Sequence, residues 1–160
     1  MATSVSPAQG IRKVVKHAKH MVAEVLYERR YGVRTSAKAM LDGHDDENIY
    51  YAPMNWRQLK WALPVRSVSR DDVFIDIGSG KGRAVLVAAV DYPFGRVIGV
   101  ELAKELHETA QANMAASAGK VRAGKVELVC ADVRDYEIPD DVTVYGFIYD
   151  VKTGRIHDVA

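Results

Sequence analysis

Ten residues near the middle of the chain, V-F-I-D-I-G-S-G-K-G from Val73 to Gly82, limit what it can fold into more than any other stretch. Val73, Phe74 and Ile75 have the β-branched and aromatic side chains of a buried strand. Gly78, Gly80 and Gly82 fall at alternate positions, and an apolar run of helical character follows from Ala84 to Val90. Strand, tight glycine turn and helix, in that order, open a nucleotide-binding α/β unit. Such a turn exposes the first N–H groups of the helix, where a ligand carboxylate or phosphate can dock.

The glycine spacing separates the readings of this turn. A dinucleotide fingerprint, G-x-G-x-x-G/A, needs a small residue at position 83, which is Arg83. A phosphate loop needs Ser or Thr after its lysine, and Lys81 is followed by Gly82. The pattern that fits is D-x-G-x-G-x-G, from Asp76 to Gly82. On it, the chain resembles the class I S-adenosylmethionine (SAM)-dependent methyltransferases, whose first motif reads like F-I-D-I-G-S-G-K-G. The resemblance runs from about Tyr27 to Tyr149 and is strongest over residues 71–114. It implies SAM as the cofactor and methyl transfer as the activity.

Composition is consistent with a soluble globular domain. At 160 residues the chain is long enough for one real core. A formal net charge of +1 does not mark a nucleic-acid binder. The single cysteine, Cys130, excludes an internal disulfide and suits a reducing cytoplasm. Within V-E-L-V-C it reads as a small buried hydrophobe. No apolar run approaches the roughly 18 residues of a membrane span. Arg12, Lys13, Lys16 and Lys19 interrupt any signal-peptide core.

In chain order, residues 1–10 are expected to be flexible and residues 11–160 to form one domain. Residues 11–63 would be a helical cap, and 71–150 the SAM-binding core. From Ile11 to about Tyr31, the residues Val14, Val15, Ala18, Met21, Val22, Val25 and Leu26 mark one apolar helix face, expected to dock on the domain. The other face is basic, and solvation rather than specific nucleic-acid binding is its expected role. His17 and His20 lack further partners at ligand spacing, so no metal site is expected. Tyr50–Leu63 predicts a short helix with Trp56, Leu59, Leu63 and Trp61 on its apolar side. Strands at Val73–Asp76, Val97–Val100, Val126–Cys130 and Val142–Tyr149 alternate with helices at Arg83–Val90 and Ala103–Ala118, where His107 is expected to be exposed. This predicts an α/β, Rossmann-like, mostly parallel sheet of about four strands with flanking helices and an N-terminal amphipathic helix.

Asp76, Glu101 and Asp132 fall at the carboxyl ends of three successive strands, where open α/β sheets bind ligands. Glu101 follows Gly78 at close to the roughly 20-residue spacing of a ribose contact. The resemblance implies roles at matching positions. Gly78, Ser79, Gly80 and Gly82 would line the methionine part of SAM, and Asp76 would orient its ammonium. Glu101 would take the ribose hydroxyls, Leu102 would pack on the adenine, and Asp132 and Val133 would meet its amine edge. Tyr51, in a Y-x-P-x-x-W-like element, would help cover the cofactor.

After the fourth strand the family pattern gives way to I-Y-D-V, and the chain ends ten residues later. Asp150, as a base, and Tyr149 are the catalytic candidates there. The shortness predicts cofactor binding with little methyl transfer by the chain alone. It also predicts self-association or a partner along the apolar edge Val142–Tyr149. The methyl acceptor is not specified by the sequence. A SAM-binding module without independent catalysis is the competing reading, and a nicotinamide-dependent enzyme the third.

Overall fold

The computed structural model describes residues 7–36, 51–139, 146–150 and 155–159. Helix α1 spans Pro7–Tyr31, so residues 7–10, expected to fray, are its first turn. The short α2, Gln58–Ala62, leads to β1, Val73–Ile77. Then come α3, Arg83–Asp91; β2, Arg96–Glu101; α4, Lys104–Ala116; and β3, Lys125–Cys130. The three strands form one parallel sheet in the order β1-β2-β3. The register pairs Asp76 with Gly99 and Glu101 with Cys130, which brings the strands' carboxyl ends to one rim. This is the α/β, Rossmann-like arrangement that the sequence predicts.

The core lies between this sheet and α3. Every residue of α3 is buried: Ala84–Val90 is apolar all round and can be covered on every side, while the charged ends Arg83 and Asp91 are paired. Val97, Ile98 and Val100 of the central strand complete the core, with Tyr92 and Phe94 in the connection.

Several expectations are corrected. The fourth strand, β4 at Gly146–Asp150, does not extend the parallel sheet. It pairs antiparallel with β5, Arg155–Val159, in a separate two-stranded sheet. A partner a few residues along the chain costs far less loop-closure entropy than one across the domain. Residues 142–145, the first half of the expected edge, lie outside the described residues. Among the described residues the sheet's open edges are instead β1 and β3.

Among the described side chains, the apolar face of α1 does not dock. Val22 is 58% and Leu26 61% exposed, and Val15, Met21 and Val25 are exposed beside them. The docked face runs through Glu24, Tyr27, Glu28 and Tyr31, at i, i+3, i+4 and i+7. Aromatic stacking and buried acceptors outweigh simple apolarity here. The Trp56 ring packs against both Tyr27 and Tyr31, with ring centroids 5.6 and 5.1 Å away. The Tyr31 hydroxyl donates to Asp91 at the end of α3, which also holds Arg30 (3.0 Å) and Lys60 (2.8 Å). Of the basic residues on α1, Lys19 is exposed; the side chains of Lys13, Lys16, His17 and His20 lie outside the described residues.

Three single residues also differ from expectation. Trp61 is 67% exposed rather than on the apolar side of α2, with the Arg57 guanidinium over its ring. His107 is buried on the inner face of α4. Cys130 is exposed, because it ends β3 at the open rim instead of lying inside the strand.

Candidate functional site

The rim of strand ends encloses a cavity of about 740 Å³. Tyr51, Asp76, Gly78, Ser79, Gly80, Glu101, Leu102, Asp132 and Val133 all line it. Gly82 does not; it caps α3 behind the turn at φ +78°, against Ala110 of α4. Tyr149 and Asp150 end β4, and their side chains lie outside the described residues.

The glycine turn is fixed by its own backbone. The N–H groups of Gly78 and Ser79 both donate to the Val100 carbonyl at 2.9 Å, and that of Gly82 to the Ser79 carbonyl at 2.8 Å. The next N–H, on Gly80, donates to Glu101 Oε2 at 2.7 Å. The other oxygen of this buried carboxylate, Oε1, accepts from the Ala103 N–H at 2.8 Å. Glu101 thus joins the turn to the start of α4. A carboxylate has about four acceptor positions, so each oxygen can take one more donor. The Ser79 hydroxyl is buried and has no hydrogen-bond partner among the described residues. A buried orphan of this kind at a cavity wall suits a ligand donor or acceptor.

Asp76 stands beside Glu101 on the same rim. Burial, reinforced by the Glu101 charge, pushes its carboxyl up to about 6 from an ordinary 3.8. The folded protein therefore holds this proton better than the unfolded chain does. The associated stability is fully present below pH 3.8 and is lost as pH rises through 6. Asp76→Asn is accordingly expected to raise the melting temperature at pH 7, with the gain shrinking to nothing near pH 4. Equal gains at both pH values, or none at either, would show that the carboxylate carries no such penalty.

Asp132 is held differently. Arg134 Nε reaches both of its oxygens at 3.0 Å, Nη2 closes the fork, and the Arg134 N–H donates at 2.9 Å. The Arg134 side chain, followed by its backbone, draws the carboxyl down to about 2, so it is ionised at neutral pH. Tyr51 covers the turn, with its hydroxyl donating to the Thr35 carbonyl at 2.9 Å. Burial pushes this hydroxyl up to about 12, so it stays a donor.

The cavity also takes in Pro53, Met54, Arg83, Leu106 and Arg134, none of them a sequence-predicted site residue. Arg83 was legible only as a break in a dinucleotide pattern. A lone arginine in an otherwise apolar buried helix is nonetheless a signal of a buried ion pair. The others carry no local signal, because the fold alone brings them to the rim. Among the described residues no group of three or more His, Cys, Asp or Glu could hold a metal ion, and no helix is long and apolar enough to cross a membrane.

Residues 29–124 match the family described as Histone methylation protein DOT1. A protein-lysine N-methyltransferase from Saccharolobus islandicus is 33% identical over 67 residues, 42% of this chain and 42% of that protein. An RNA methyltransferase from Salinibacter ruber, solved with S-adenosyl-L-homocysteine, is 28% identical over 53% of each chain, with a TM-score of 0.46. The YcgJ protein from Bacillus subtilis is 23% identical over 49% of this chain and 32% of its own, with a TM-score of 0.38. The chain thus spans about half or less of the length of these relatives. The family match starts near the end of α1, covers the glycine turn and Glu101, and stops just before β3. It sets aside the nicotinamide reading. Since it takes in well over half of the 160 residues, the chain belongs to the family of histone methylation protein DOT1, and with it to the class I SAM-dependent methyltransferases.

Proposed function

We propose that the cavity at the strand rim is the SAM site and that the protein methylates the side-chain amine of a protein lysine. The observation that carries the cofactor reading is Glu101: a buried carboxylate at the cavity wall, held by two backbone N–H groups and still able to accept two donors. Vicinal ribose hydroxyls are such a pair of donors. The orphan Ser79 hydroxyl and the anionic Asp76 suit the polar, cationic end of the same ligand. Leu102 and Val133 offer apolar surface for a base, and Asp132 an ionised acceptor for its amine. Tyr51 would exclude water from the methionine end. The lysine acceptor rests on the description of the Saccharolobus relative, and the family's description as a histone methylation protein supports a protein acceptor.

Bound SAM would supply an activated methyl group on a sulfonium centre. The chain's own contribution is positional. Rigid backbone at the turn, set by the Val100 and Ser79 carbonyls, holds the cavity floor in one geometry, and orientation of this kind can supply most of the rate of an in-line transfer. A lysine acceptor would arrive as an ammonium, which the carboxylates at the rim attract as they do the sulfonium. It must release its proton to solvent before its nitrogen takes the methyl group and S-adenosylhomocysteine departs.

Calorimetry with S-adenosylhomocysteine tests the site. The parent chain is expected to bind it and not NAD, and Glu101→Ala to bind it roughly tenfold more weakly or worse, the scale of a charged hydrogen-bond pair. Equal affinity in parent and variant would remove Glu101 from the ribose site. For the acceptor, labelled methyl groups from SAM should be recovered as methyl-lysine from a basic protein substrate. Label recovered only in RNA would overturn the lysine reading.

A further inference from the structure

Arg83, one residue past the glycine turn, is only 3% exposed. Its guanidinium makes five hydrogen bonds, matching its five N–H donors. Nε donates to Thr35 Oγ1 at 2.8 Å. Nη1 donates to Glu24 Oε1 at 3.1 Å and to the Met54 carbonyl at 2.8 Å. Nη2 donates to Glu24 Oε2 at 2.8 Å and to Ser36 Oγ at 3.1 Å. The Trp56 ring lies under the guanidinium, 4.4 Å away at its centroid. One side chain therefore ties α1, the 33–36 segment and the 51–54 segment to the base of α3.

The 51–54 segment is the wall of the cavity over the glycine turn, and both its ends depend on this arginine. Met54 is held directly through its carbonyl. Tyr51 is held through Thr35, whose carbonyl accepts the Tyr51 hydroxyl and whose hydroxyl accepts from Arg83. We infer that Arg83 is a positioning residue that seats the 51–54 wall over the turn, and does so only when α1 brings Glu24 to it. Cofactor retention is then coupled to docking of the N-terminal helix. This rests on the cofactor reading above, but the seating of the wall does not.

The test is a double-mutant cycle on the full chain, read by S-adenosylhomocysteine calorimetry well below the melting temperature. Arg83→Lys keeps the charge opposite Glu24 but loses the planar fork. It is expected to weaken binding roughly tenfold, and Tyr51→Phe by less. The double variant should bind no worse than Arg83→Lys alone, because both changes release the same wall. Effects that multiply would overturn the inference, since a merely stabilising arginine would act independently of Tyr51. Hydrogen exchange on the ligand-free protein gives a second reading. Arg83→Lys should speed exchange at the Gly80 N–H, which is bonded to Glu101 beneath the Tyr51 ring, but not in β2. Unchanged exchange at this amide would refute the seating role, even if the parent failed to bind cofactor and so refuted the cofactor reading instead. Should Arg83→Lys not fold, Thr35→Val carries the same tests, because it leaves the Arg83–Glu24 pair in place.

Discussion

Gly80→Val is expected to abolish S-adenosylhomocysteine binding. Gly80 has φ +55°, a conformation that a β-branched residue adopts at a cost of roughly 1–2 kcal/mol. Space is the larger obstacle. A Cβ at Gly80 would stand 2.4 Å from Tyr51 Cε2 and 2.8 Å from Cδ2, so either the ring or the turn must move. If the ring moves, it gives up its hydroxyl bond to Thr35 and uncovers the cavity. If the turn moves, the Gly80 N–H leaves Glu101, and the carboxylate loses its fixed position. Either way the site proposed for the cofactor is altered, at Tyr51 or at Glu101. Calorimetry paired with a melting curve measures this. A folded Gly80→Val chain that bound the ligand as tightly as the parent would show that the glycine turn serves the fold alone.

Arg83→Met is expected to destabilise the chain by about 3–5 kcal/mol, the cost of breaking a buried ion pair from one side. Glu24 would keep its buried carboxylate but lose the guanidinium that holds both of its oxygens. The Thr35 hydroxyl and the Met54 carbonyl would lose their donor as well. Against a total stability of about 5–15 kcal/mol, this threatens folding itself. Urea denaturation gives the number. The companion variant Glu24→Leu/Arg83→Met should recover much of the loss, because replacing a buried pair with apolar residues is often close to neutral. A single variant within about 1 kcal/mol of the parent would mean that the pair is not buried as described.

The parallel sheet was legible because it is built from local signals. Apolar β-branched runs, glycine punctuation and helical runs each act over a few residues, and together they impose β1, α3, β2, α4 and β3. The positions of Asp76, Glu101 and Asp132 were legible for the same reason. A residue that ends a parallel strand must reach the rim once the strands are in register. Cys130 shows the limit, because one residue decides between a strand's buried interior and its exposed end.

What only the tertiary structure decided is where charges are paired and which faces are covered. Periodicity placed the apolar stripe of α1 against the domain, yet the fold turns Glu24, Tyr27 and Tyr31 inward. The reason is that Arg83, 59 positions away, and the Trp56 ring are waiting there, and a helix's own sequence cannot report a distant partner. The same holds for β4, whose strand character was readable but whose antiparallel partner was not. By itself, the sequence determined the glycine turn and the carboxylates that face it. The wall that covers the turn depends on a buried arginine whose five hydrogen bonds reach four residues in three separate stretches of chain. Only the folded chain brings them within hydrogen-bond distance.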